Sequence, residues 1–337
     1  MDAKITKVRL NRMLSYDWIK IIAVAVASII VWTLIFTMTA TRITPAQQFT
    51  VMNYLGNYSL SADFEAHYAK TFADGVFSYE VLELSSPVDL AGNADMASEL
   101  LSTRTATSEG DVIFVANADD LGAPKKEKGE DGKEIIVGYE NTYLEEFARG
   151  YSSMLYKADE FVLSMENYLS DYYKEDGSLD EDYAKTQFRK RVKKDKRFKK
   201  ESQIRKGEEQ ELERIRKYSE ALRKFKVWLE SGYVRYDEVI IQKADDKKEE
   251  IKGLYAINIC PTDLENGVKN TKWEKEEQKK LEKLISYEKI DEETGEKTKS
   301  VENMCVCLFD FSDVTEGFQY ESMLYLVSVL EYAGLTA

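Results

Sequence analysis

The alternation of apolar and polar positions changes character along the chain. Residues 21–40 form one uncharged, apolar run of twenty residues, the length of a single membrane crossing as a helix. No later run is long or apolar enough to span. Residues 49–54 (FTVMNY) then read as a strand, and residues 62–72 as a short amphipathic helix with Phe64, Tyr68 and Phe72 at four-residue spacing. Residues 76–84 (VFSYEVLEL) read as a second strand, residues 90–103 as a helix, and residues 111–116 (DVIFVA) as a third, almost wholly apolar strand. Strand, helix, strand, helix, strand with apolar strands predicts a parallel sheet covered on both faces.

From residue 141 the period becomes helical. Tyr143, Leu144, Phe147, Tyr151, Met154, Leu155, Phe161, Val162, Met165 and Leu169 recur at three- and four-residue steps, which predicts helices to about residue 172. Asp176 and Gly177 mark a turn, and helices resume over 180–230, with Leu212, Ile215, Leu222, Phe225 and Leu229 on one face. Residues 238–241 and 254–259 read as a hairpin with a charged tip at 245–250. A charged segment over 272–299 precedes a strand at 304–309 (MCVCLF) and a closing helix at 320–332. The fold class expected is α/β. Its layout is a leader (1–20), an anchor (21–40), an α/β lobe (41–140), a helical region (141–236) and an α/β region completing the fold (237–337).

Charge gives the apolar run a direction. Lys4, Lys7, Arg9, Arg12 and Lys20 face Asp2 and Asp17 in the leader, for about +3, and positive flanks stay in the cytoplasm. The expected arrangement is a single-pass cell-membrane protein with a cytoplasmic N-terminus and an extracellular C-terminal domain. The alternative is a cleaved secretory signal. Such a signal has an h-region of about 7 to 15 residues and small residues before the cut, whereas this run is longer and ends FTMTA.

The whole chain carries −14, so the part beyond the anchor is strongly acidic and general nucleic-acid binding is not expected. Against that background residues 185–200 hold ten Lys or Arg and one acid, Asp195. Arg189, Lys190, Arg191, Lys193 and Lys194 are the centre of a candidate patch for an anionic surface. The other reading is a solvated helical face matched to acidic helices of the same region.

Sites for catalysis or metal are not evident in the pattern. There is one histidine, His67, and three cysteines, Cys260, Cys305 and Cys307. Cys305 and Cys307 sit two apart in a strand, so both face one way. They are either buried apolar groups or partners for one bridge to Cys260. No Gly-rich phosphate loop, G-x-S-x-G elbow or H-E-x-x-H occurs, the loop at Asp176 lacks calcium-ligand spacing, and no cofactor or enzyme activity is expected. The 21 Tyr, with Trp228 and Trp273, suit stacking on sugars or ordinary core packing.

The succession FTVMNYLG, ADFEAHYAKTFADG, VFSYEVLEL, a helix and EGDVIFVAN resembles the N-terminal lobe of the extracellular solute-binding proteins of carbohydrate ABC importers, with a type 2 periplasmic-binding-protein fold. NTYLEEFARGYSSMLYKADEFV looks like the helix after that family's third strand, and GLYAINIC like its hinge-region strand. The resemblance implies a carbohydrate ligand and an ABC permease as partner. It places Asn53, Tyr54, Asn117 and Asp119 at strand ends as polar contacts, with Trp228 as a stacking surface. The chain departs from the family in its anchor helix, its charged helical middle and its shortage of strands for a second lobe. A reduced relative acting as a non-binding envelope scaffold is therefore the alternative.

Overall fold

A computed structural model of the chain describes residues 7–8, 11, 18–39, 47–55, 75–84, 88–90, 94–107, 109–117, 124–128, 132–139, 141–243, 249–265, 268–290, 297–310 and 317–337. The expected helix at 62–72, His67, Asp119, most of the leader and most of the 245–250 tip lie outside the described residues. The chain divides into two compact units, Met1–Ile43 and Thr44–Ala337.

The first unit contains α1 (Trp18–Thr39), whose 20-residue span Trp18–Thr37 has a mean hydropathy of 2.5 and no residue buried by the protein. At 1.5 Å per residue it covers roughly 30 Å, the thickness of a hydrocarbon core. It begins a turn earlier than the apolar run because Trp18 and Ile19 continue the helix through Lys20.

The second unit is built on one six-stranded sheet. Its strands are β1 (Val51–Tyr54), β2 (Val88–Asp89), β3 (Val112–Ala116), β4 (Arg235–Gln242), β5 (Ile251–Asn258) and β6 (Met304–Leu308), in the order β2-β1-β3-β6-β5-β4. The first three strands are mutually parallel, but the second of them is Val88–Asp89 and not the expected strand at 76–84. β6 lies antiparallel between β3 and β5, and β4 pairs antiparallel with β5 as the expected hairpin. The sheet is therefore mixed. Strands from residues 41–140 and 235–308 share it, so the two α/β stretches build one layer.

Among the described residues the α-helices of this unit are α2 (Ala94–Ala106), α3 (Tyr143–Tyr151), α4 (Ala158–Ser170), α5 (Glu181–Arg191), α6 (Glu201–Ser231), α7 (Lys275–Leu284) and α8 (Glu321–Ala333). Period-2 side chains send Val51, Val112, Phe114, Ile257, Val306 and Leu308 into a core shared with Phe161 and Met165 of α4, Ile215 and Phe225 of α6, and Leu326 and Leu330 of α8. Met52, Ile113, Val115, Cys305 and Cys307 face the opposite way, onto Leu101 of α2 and Leu144, Phe147 and Ala148 of α3. Helices thus cover both faces of the sheet.

Two sequence expectations change. Residues 76–82 are not a strand: only Glu83–Leu84 pairs there, in parallel with Gln48–Phe49. The backbone of this segment is used elsewhere, Ser78 N donating to a Glu321 carboxylate oxygen at 3.0 Å and Leu82 N to Gln47 O at 2.8 Å. Its side chains serve as packing, with Phe77 stacked on Tyr325. Secondly, the charged segment 272–299 holds α7 and a ladder of Tyr287–Ile290 with Lys297–Ser300. Its Leu281, Leu284 and Tyr287 are buried, and those few apolar positions suffice to dock it.

All three cysteines are free and buried. Cys305 and Cys307 share a face, while Cys260 belongs to the core on the other side of the sheet. A bridge from Cys260 to either is therefore not formed.

Candidate functional site

The carboxyl ends of β1, β3 and β5 lie where ligands of open α/β sheets bind. Four residues meet at this edge: Asn117 just past β3, Asn258 at the end of β5, Asp237 near the start of β4, and Asn303 ahead of β6. Asp237 Oδ2 accepts from Asn117 Nδ2 at 2.8 Å and from Asn258 Nδ2 at 2.9 Å, while Oδ1 accepts from Arg235 Nε at 2.8 Å. Asn117 Oδ1 accepts from Thr142 Oγ1 at 2.9 Å, and Thr142 is also the N-cap of α3. Asn303, at a left-handed φ of 52° that suits Asn, accepts on Oδ1 from Asn258 Nδ2 and from Thr262 N. The edge is cross-linked by its own side chains, since Asn117 and Asp237 bond to each other and to neighbouring elements.

The other residues named for a solute are distributed differently. Asn53 is fully buried, and among the described residues neither atom of its side-chain amide has a hydrogen-bond partner. Tyr54 packs on Tyr143 and Phe147 with ring centroids 6.2 and 5.6 Å away, and burial followed by the charge of Glu146 raises its pKa. Trp228 is 1% exposed in the α6 core and donates Nε1–H to Thr336 O at 3.3 Å. Its ring has no face left for a sugar, so the aromatic surface that the resemblance implies is instead a core contact. Asp119 lies outside the described residues. Asn117, Tyr54 and Asn53 share the strand-end region, and Trp228 does not join them.

The basic run divides into paired and unpaired cations. Its arginines are all paired, Arg191 and Arg197 half-buried and Arg189 exposed. Arg189 pairs with Glu201 at 2.9 Å and Glu208 at 2.5 Å, Arg191 with the fully buried Glu211 at 2.6 Å, and Arg197 with Asp195 and Glu80 at 2.7 and 2.9 Å. Its lysines from Lys190 onward turn outward, whereas Lys185 is half-buried and paired with Glu181 at 3.2 Å. Lys190, Lys193, Lys194, Lys196, Lys199 and Lys200 are exposed, and among the described residues none of them forms an ion pair. The planar guanidinium fork suits buried bidentate pairs, whereas a hydrated ammonium keeps to solvent. The acids nearest the run, Asp195, Glu201 and Glu208, are already held by arginines, so the lysine charge is not neutralised locally.

Beneath the run lies a buried polar network that sequence reading missed. Arg214, with no exposure, donates to Glu211 at 2.6 Å, to Gly317 O at 3.2 Å and to Tyr168 OH at 2.5 Å. Burial alone would raise the Glu211 carboxyl, but Arg214 and Arg191 outweigh it and hold the group below its usual range. Glu321 accepts from Ser78 N and, at 2.7 Å, from Tyr218 OH. Burial, only partly offset by those bonds, raises its carboxyl. A signal was present in the sequence: Glu211 falls in phase with Ile215, Tyr218, Leu222 and Phe225, on the apolar stripe where a charge needs a partner.

Among the described residues no cluster of three His, Cys, Asp or Glu is placed to hold a metal ion. α1 is compatible with a single-pass anchor or a signal sequence. Comparison of the chain with protein-family models, with curated proteins and with solved structures finds no match.

Proposed function

We propose that this protein is a membrane-anchored interaction module of the cell envelope, held by α1 with its N-terminus in the cytoplasm, whose folded unit engages an anionic membrane surface through the lysines of 190–200. The observation that carries this reading is the sorting of the run into paired arginines and, from Lys190 onward, exposed lysines that form no ion pair among the described residues. Each lysine near an anionic surface contributes about 1 kcal/mol, so six supply useful affinity despite the acidic remainder of the chain. The reading involves no catalytic step. It is tested by sedimenting the Thr44–Ala337 unit with vesicles containing phosphatidylglycerol. Binding should occur at low salt, fall as ionic strength rises, and be lost when Lys193, Lys194, Lys196, Lys199 and Lys200 are changed to Gln. Equal sedimentation of both forms would sink it.

One observation supports a second reading, the carbohydrate-binding component of an ABC importer. The parallel β2-β1-β3 order carries at the end of β1 a buried amide, Asn53, whose polar atoms have no partner among the described residues. Buried polar groups are normally satisfied, and a solute hydroxyl would satisfy this one. A thermal-shift screen against sugars tests it, since a ligand at 100 times its Kd adds about 2.7 kcal/mol. No shift at millimolar sugar would leave the interaction module alone.

A further inference from the structure

A cavity of about 400 Å³ opens between α4 and α5, away from the strand-end edge. Its walls are two helical stripes. Tyr168 of α4 and the Asp171 and Tyr172 that follow it stand at steps of three and one. Tyr183, Gln187, Lys190 and Arg191 of α5 recur at steps of four, three and one. Spacings of three and four put side chains on one helix face, so the two stripes confront each other. The Tyr172 and Tyr183 rings meet edge to face with centroids 5.3 Å apart, and the Tyr168 and Tyr172 hydroxyls lie 3.1 Å apart.

The chemistry of the walls is mixed in a particular way. Tyr183 is partly exposed and offers ring surface, while the partly exposed Tyr168 is packed on Tyr172 and Tyr320 and beneath Arg214. Burial, followed by the neighbouring Tyr168, raises the Tyr172 phenol, so it stays a neutral hydrogen-bonding group. Gln187, Asp171 and Lys190 have no side-chain hydrogen bond or ion pair among the described residues, which leaves an amide, a carboxylate and an ammonium available at one mouth. Arg191 closes the inner end, where its one carboxylate partner, Glu211, is shared with Arg214. The lining thus carries two cations against one carboxylate, and one of those cations has only half a counter-ion.

We propose that this cavity binds a pyranose unit bearing one carboxylate, a uronic acid residue. The ring would lie against Tyr183, the carboxylate between Lys190 and Arg191, and the hydroxyls on Asp171 and Gln187. The volume lies in the range of small-ligand pockets, roughly 300 to 1,000 Å³. An aromatic face with acceptor and donor side chains matches the alternating C–H and O–H surface of a sugar. The unbalanced cations select an acidic sugar over a neutral one by electrostatic complementarity. The site goes beyond the membrane-surface reading and shares only Lys190 with it; because that reading is tested on Lys193 to Lys200, the two fail separately.

The test is titration calorimetry on the full chain in detergent micelles, with D-glucuronate and D-glucose as probes. Glucuronate should bind and glucose should bind far more weakly. Lys190→Gln, at an exposed position, should weaken glucuronate roughly ten- to a hundredfold, as expected for losing a charge-assisted hydrogen bond. Tyr183→Ala should weaken both sugars, and Lys199→Gln with Lys200→Gln, outside the cavity, should leave glucuronate affinity unchanged. Circular dichroism on each variant shows whether the fold is kept, and Asp171→Asn is a second exposed probe should Tyr183→Ala not fold. The proposal is overturned by equal affinity for the two sugars, by no heat with either, or by full glucuronate affinity in Lys190→Gln.

Discussion

Replacing Asn117 by Ala separates a structural strand-end residue from a ligand contact. In the folded chain its amide donates to Asp237 and its carbonyl oxygen accepts from Thr142. A hydrogen bond to a charged group is worth about 1.5 to 3 kcal/mol, and a nearly buried hydroxyl left without its acceptor costs about 1 kcal/mol more. The variant should therefore lose about 2 to 4 kcal/mol, toward the low end if water enters the gap, because Asp237 keeps Arg235 and Asn258 as donors. Urea unfolding of the full chain in detergent, followed by the helical dichroism, reads this as a lower midpoint at unchanged slope. A double-mutant cycle with Asp237→Ala should return a coupling of about 0.5 to 3 kcal/mol. If Asn117 were instead held in readiness for a solute, its removal would alter stability by less than about 0.5 kcal/mol, as at an ordinary surface position. That result would refute the cross-linked-edge argument.

Three further outcomes are expected. Burial raises the Asp111 carboxyl from 3.8 to about 7, the bond from Thr50 N only partly offsetting it. The folded state then keeps a proton that the unfolded chain releases, so stability falls as pH rises between those values. The loss is about 2 to 4 kcal/mol, discounted for the residue's partial exposure, and should be missing in Asp111→Asn; parallel pH profiles for both proteins would contradict this. Gly207 of α6 packs under Phe188 and Phe198, and an added Cβ would overlap the Phe188 ring and sit 2.7 Å from Phe198 Cε1. Gly207→Ala should cost about 1 to 3 kcal/mol by overpacking despite the better helix propensity of Ala, and a stabilised variant in thermal melts would contradict that contact. Burial pushes the Cys260 thiol up to about 12 and raises Cys305 and Cys307 as well, so a thiol reagent should label none of them in the native protein and all three in urea.

Much of the layout was readable because it depends on period alone. The apolar run of α1, the parallel order around β3, the β4–β5 hairpin and the buried stripe of α6 each follow from spacing within one segment. The turn at Gly177, with φ of 77°, is local in the same sense. Residues 76–82 misled because their alternation serves a packed loop whose backbone partners, such as Glu321, lie more than two hundred residues away. α7 escaped notice because few apolar positions dock it.

What the chain determined by itself was its α/β class, one helix of membrane-spanning length, and a basic run in an acidic background. Tertiary structure alone decided what each polar residue is for. Asn117 could not be known to face Asp237, 120 positions on, nor Trp228 to be enclosed beside the C-terminus. The same holds for the basic run, whose charge was visible but whose division was not: Arg191 reaches Glu211 only because α5 folds back on α6, and Lys193 stays in water because no acid is brought to it. Side-chain periodicity is a property of neighbours along the chain, whereas hydrogen bonds and ion pairs form between segments whose proximity is set only when the whole core is packed.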